Sequence, residues 1–148
     1  MNHSNKMLND LVSLARDGKG FYEHAATKVI DPELKTLFTR IAVVKGEIVT
    51  GLSNEIKAMG DKPAESGTLV GEINKLYGEL RALVGNKDYA YVAQLEDSED
   101  RLLKAFNEAR NDKEVSEHAL IVLNRLAPEV RQCHEMMRTR KLALKKAA

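Results

Sequence analysis

This 148-residue chain has one cysteine, three prolines and only 5% aromatic residues. A lone Cys133 excludes an internal disulfide and fits a reducing compartment. The scarcity of proline and aromatics, with nine glycines, favours helices over a sandwich or barrel. No apolar run approaches the roughly 18 residues of a membrane span. The first ten residues lack the charged and apolar regions of a signal peptide, so a cytoplasmic protein is expected. Excess charge is also missing. Lys and Arg number 23 against 22 Asp and Glu, a net charge of +1. No global basic field exists to draw nucleic acid, and neither nucleic acid nor a membrane is an expected partner.

What is present suits a soluble globular fold: 43% hydrophobic and 30% charged residues. The length predicts one domain over residues 1–148, large enough for a sizeable core. Apolar residues recur at steps of three and four, the mark of bundle helices. The first helix is predicted over about 5–29, with Leu8, Leu11, Ala15, Gly18, Tyr22, Ala25 and Val29 as its seam. Gly18 and Gly20 weaken it by about 1 kcal/mol each relative to Ala. The reading is a continuous helix in which Gly18 admits a close neighbour; a loop over 17–20 is the alternative. Asp31-Pro32-Glu33 starts the second helix, over about 32–59, with Asp as cap and Pro in the first turn. Its stripe runs Leu34, Leu37, Phe38, Ile41, Val44, Ile48, Leu52, Ile56 and Met59, and Gly60 closes it. Two helices joined by so short a turn must be antiparallel.

A polar loop follows, then a shorter helix over about 68–84 carrying Leu69, Ile73, Leu76, Leu80 and Leu83. Two more long helices are expected over about 88–110 and 113–142. Asn111-x-x-Glu114 reads as a capping box for the last of them. Pro128 should bend or interrupt that helix near 124–126. A helix of about 25 residues spans about 38 Å. The connector of nearly thirty residues is long enough to return along that length, so helices two and three can run parallel. The fold class is therefore all-α, a ferritin-like four-helix bundle with a long helix-containing crossover between helices two and three. A plain five-helix array is the alternative. The crossover helix carries more apolar surface than one packing face needs, which motivates a homodimer.

The third helix holds the most informative residue. Its inward positions are Asp88, Val92, Leu95, Glu99, Leu102, Phe106 and Ala109. Glu99 stands where the pattern calls for Leu. A carboxylate buried there must find a cation, a metal or a strong donor, or take up a proton. Glu96, one turn earlier, repels it unless something positive lies between them.

Four stretches together resemble a known bacterial family. They are Leu8-Asn-Asp-Leu11 with Asp17-Gly-Lys-Gly-Phe21, then Asp31-Pro-Glu-Leu-Lys-Thr-Leu-Phe38, then Glu96-Asp-Ser-Glu-Asp100. The family is ferritin-like, most of its members carry only the description of a domain of unknown function, and it is similar to the stress protein YciF. The likeness covers roughly residues 5–140. It implies a four-helix ferritin-like bundle, dimers and a link to general stress responses. It implies no established catalytic activity.

A ferritin-type di-iron centre takes a carboxylate from each of two helices and Glu-x-x-His from each of the other two. This chain has no Glu-x-x-His. Glu47 is followed three residues later by Thr50, and Glu129 by Gln132. His134 comes five residues after Glu129, about 140° around the helix, so the two diverge. Glu23 sits beside the seam rather than on it. The candidate metal ligands are thus Glu23, Glu47, Glu99, Glu129 and His134, with iron or manganese as the metal. The favoured expectation is a protein without cofactor, in which Glu99 pairs with Arg or Lys from a facing helix or meets water at a dimer seam. Cys133 reads as a small core residue, His24 and His118 as exposed-face residues, and His3 as part of a terminal tail. The basic tail (Arg138, Arg140, Lys141, Lys145, Lys146) reads as a solvated helix end whose cations suit the negative pole of the dipole. Nothing resembles a phosphate-cradling glycine loop, a nucleophile elbow or a zinc cluster. The function expected is that of a non-catalytic, stress-associated bundle; a metal-binding, rubrerythrin-like protein is the alternative.

Overall fold

The computed structural model describes residues 2–67 and 86–147. Four long helices account for most of them: α1 His3–Lys28, α2 Pro32–Ala58, α3 Lys87–Asn111 and α4 Glu117–Ala147. There is no strand among the described residues. The expected helix over 68–84, and with it the apolar surplus behind the dimer expectation, lies outside the described residues.

The helix ends follow from local chemistry. Asn2 Oδ1 accepts from Asn5 N and opens α1. α1 is continuous through 17–20, so the loop alternative falls. The Asp31 side chain accepts from Glu33 N and caps α2, with Pro32 in the first turn. Gly60, at φ +81°, ends α2 in the left-handed region, where a side chain would strain. Asn86 caps α3 through Tyr89 N. The start of α4 differs from expectation. Asn111 is the last residue of α3, and the chain turns through Asp112, whose Oδ1 accepts from Glu114 N. Ser116 then caps α4, its Oγ accepting from Ala119 N at 3.2 Å. α4 thus begins at 117 rather than 113 and runs to 147 rather than 142. Pro128 lies inside it without ending it; the one N–H it lacks is a local loss that the packed face outweighs.

Long-range hydrogen bonds fix the direction of each helix. Asp88, at the start of α3, accepts from Ile30 N at 2.8 Å and Asp31 N at 3.0 Å in the α1–α2 turn. His3, at the start of α1, bonds Asp112 at the end of α3, at 2.9 Å. Ser4 Oγ donates to Glu114 O and accepts from Ser116 N just before α4. At the far end Arg140 of α4 pairs with Glu33 of α2. α2 and α3 therefore run the same way, and α1 and α4 run opposite to them. The sides of the bundle are α1–α2, α2–α4, α4–α3 and α3–α1, which leaves α2 and α3 on a diagonal.

The core is built from the predicted seams. Every seam position of α1 is buried, as are Val92, Leu95, Leu102, Phe106 and Ala109 of α3 and Ala119, Val122, Leu126, Val130, Cys133 and Met137 of α4. Each large aliphatic or aromatic side chain buried in this way stabilises the fold by about 1.5–3 kcal/mol. Met59, at the end of the α2 stripe, is instead 47% exposed. The core divides into two clusters. One contains Leu8, Leu11, Ile48, Leu52, Leu102 and Phe106; the other contains Tyr22, Phe38, Ile41, Tyr91, Leu95 and Met137. Between them, on α1, α2 and α3, lie Gly18, Lys45 and Glu99.

Candidate functional site

The layer between the two clusters is charged. Lys45 Nζ meets Glu99 Oε1 directly, and the two side chains are 0% and 1% exposed. The pair crosses the diagonal from α2 to α3, a span that needs two long side chains. Gly18 of α1 lies beside the lysine stem. A Cβ built there would stand 3.8 Å from Lys45 Cε and 3.6 Å from Ser98 Oγ, both ordinary van der Waals contacts that an alanine could make. The expected neighbour is present, at a distance that does not require glycine.

Polar groups surround the pair without fully satisfying it. Glu99 Oε2 and the Tyr22 hydroxyl are buried and have no hydrogen-bond partner among the described residues. Burial pushes the Glu99 carboxyl above its usual value, and Lys45 pulls it part of the way back. Burial, then the negative charge of Glu99, holds the Tyr22 hydroxyl well above its usual value. Cys133 closes the layer from α4. Burial pushes its thiol up to about 11, against the opposing pull of Lys45. It is a neutral core residue, 1% exposed, in keeping with its seam position.

The expected metal ligands do not converge. Glu99 is in the core, whereas Glu47 is exposed and Glu23 is exposed and 3.7 Å from Lys19 on its own helix. Glu129 is half-buried on α4. His134 faces the α3–α4 surface, where its Nε2 meets Asp100 Oδ1 and its Nδ1 lies 3.4 Å from Glu135. Glu96, Asp100 and His134 each place one ligand atom within 4.8 Å of the others. Glu96 is also held by Lys141 at 3.0 Å. A second group of this kind, His3 with Asp112 and Glu114, ties the start of α1 to the α3–α4 turn. The bundle centre does not fit a ferritin-type di-metal site, which draws its donors from all four helices. Here the position facing Glu99 holds an ammonium, which repels a second cation.

Lys45 is the residue that sequence reasoning missed. The stripe assigned to α2 took Val44, which is half-buried, and skipped its fully buried neighbour. The signal was present: Ile41, Lys45, Ile48 and Leu52 keep the four-three-four rhythm of the seam. His24, read as exposed, is half-buried, with its ring 6.2 Å from that of Tyr91. His3 is not a loose tail but the first residue of α1, anchored to Asp112. The basic end of α4 is paired in part, through Arg140 with Glu33 and Lys141 with Glu96.

No helix among the described residues is long and apolar enough to cross a membrane. No curated protein and no solved structure is significantly similar to the chain. A family model does match, over residues 4–112, a span that contains Gly18, Tyr22, Lys45 and Glu99 but stops before Cys133 and His134 on α4. The chain belongs to the family described as Domain of unknown function (DUF2383).

Proposed function

We propose that this is a non-catalytic bundle protein of ferritin-like topology in which a lysine ammonium stands where a metal-binding relative would hold its cation. The observation that carries this reading is the buried contact of Lys45 with Glu99. An ammonium and a carboxylate in mutual contact have neither an open coordination position nor a free base to offer a substrate. The parallel course of α2 and α3 supports the ferritin-like topology. The resemblance seen in the sequence adds a stress-associated role exercised as a homodimer, and the lone cysteine suits a cytoplasmic location. The role of such a protein lies in what its surfaces bind.

A second reading keeps the metal but moves it. Glu96, Asp100 and His134 supply two carboxylates and an imidazole at the α3–α4 surface, a donor set that suits iron or manganese.

Native mass spectrometry of protein purified without chelator tests both readings and the dimer in one measurement. The expected result is a metal-free mass of two chains. Near-stoichiometric iron or manganese that disappears in Lys45→Met/Glu99→Leu would overturn the non-metal reading. Metal that survives this double change but is lost in Asp100→Asn would establish the surface site instead. A single-chain mass at micromolar concentration would remove the dimer.

A further inference from the structure

A cleft of about 340 Å³ lies between the second half of α2, Arg16 of α1 and the segment 62–65 that leaves α2. Neither residue of the core pair lines it. Its outer wall is fixed. Asn9 accepts from Ala64 N at 2.8 Å and donates to Lys62 O at 3.2 Å, and Arg16 Nε donates to Ala64 O at 2.9 Å. The cleft is thus held open by backbone contacts before any ligand arrives.

Its lining has a consistent chemistry. Three cations, Arg16, Lys57 and Lys62, face one acid, Glu65. The Arg16 guanidinium is oriented through Nε, and its two terminal nitrogens have no protein partner among the described residues. Lys57 pairs with no acid among them. The Lys62–Glu65 pair is 3.3 Å long but about four-fifths exposed at both ends, and holds neither group firmly. At the wall stands Ser53, 6% exposed, whose buried hydroxyl also has no hydrogen-bond partner among the described residues. A buried hydroxyl is normally satisfied, so a site that leaves one free beside unpaired cations is organised for an acceptor from outside. Val49 and Pro63 complete the lining with apolar surface.

We propose that this cleft binds a small organic phosphate monoester. The phosphoryl group accepts from the free fork of Arg16, from Lys57 and from the Ser53 hydroxyl, and the organic part lies against Val49 and Pro63. A planar fork, a point charge and a hydroxyl together match a tetrahedral dianion better than a single carboxylate. The volume is near the lower end for ligand pockets, which selects one ring or a short chain and excludes a dinucleotide.

Isothermal titration calorimetry of the full chain with phenyl phosphate, at fixed ionic strength, tests the assignment. Phenyl phosphate is expected to bind with a Kd below about 1 mM, more tightly than inorganic phosphate, and phenol alone not at all. Lys57→Gln, which breaks no contact in the fold, should weaken binding about tenfold, as loss of a hydrogen bond to a charged group does. Ser53→Ala should weaken it severalfold without lowering the melting temperature of the free protein. No binding, binding unchanged by Lys57→Gln, or sulfate matching phenyl phosphate at the same ionic strength would each overturn the proposal.

Discussion

At the scale of single residues, the core turns on two charges that almost fully exclude water. Removing one partner of such a pair leaves an uncompensated buried charge, whereas replacing both with apolar groups of similar volume is often neutral or better. Glu99→Leu alone should therefore destabilise the protein by about 3–5 kcal/mol, and Lys45→Met/Glu99→Leu should be neutral or more stable by about 1–4 kcal/mol; denaturant titration distinguishes the two. The pH dependence has a definite sign. The Glu99 carboxyl is raised in the folded state from its usual 4.5, burial being the main cause. Its contribution to stability is fully present below pH 4.5 and is lost as pH rises through the raised value. The wild type should lose stability relative to the double variant across that interval, and a parallel pH profile for the two proteins would contradict the assignment. Glu99 was legible in the sequence because a carboxylate in a seam must find a partner or take up a proton. Lys45 was not, because a lysine near a seam ordinarily snorkels, laying its stem on apolar surface and its head in water.

At the scale of elements, the helices were legible where caps and stripes agree. Asp31-Pro32-Glu33 and Gly60 bound α2 within a residue or so of expectation because each acts on its own backbone. The start of α4 was misread because Asn111-x-x-Glu114 fits the capping-box pattern, whereas Ser116, with Ala119 three residues later, does not. The choice went to Ser116, whose N–H is held by Ser4 of α1, 112 residues away. Asp88 shows the same dependence on distant groups. It was read as the first inward residue of its seam, and its carboxylate instead receives the two N–H groups of the α1–α2 turn. Asp88→Ala should cost about 1.5–3 kcal/mol, the worth of hydrogen bonds to a charged group, and should increase amide exchange at Ile30 and Asp31. Unchanged exchange there would show that Asp88 does not hold the turn.

At the scale of the whole molecule, the bundle has two apolar clusters separated by a charged layer. Phe38 and Phe106, each fully buried, belong to different clusters. Truncating either to Ala should cost about 3–5 kcal/mol. Their effects should add within about 0.3–0.5 kcal/mol, because distant sites with no shared partners are independent. A coupling of 1 kcal/mol or more in the double-mutant cycle would mean that strain passes through the Lys45–Glu99 layer.

The sequence by itself determined the class, the four long helices, most of their buried faces and the presence of one costly carboxylate among them. These follow from periodicity and from the properties of single residues, which neighbours in the chain are enough to express. Only the tertiary structure decided which cation answers Glu99, that His134 meets Asp100 rather than the core, and that Arg16, Ser53 and Lys57 line one cleft. Each of these depends on side chains from different helices, and their meeting is set by how the helices cross rather than by their spacing along the chain.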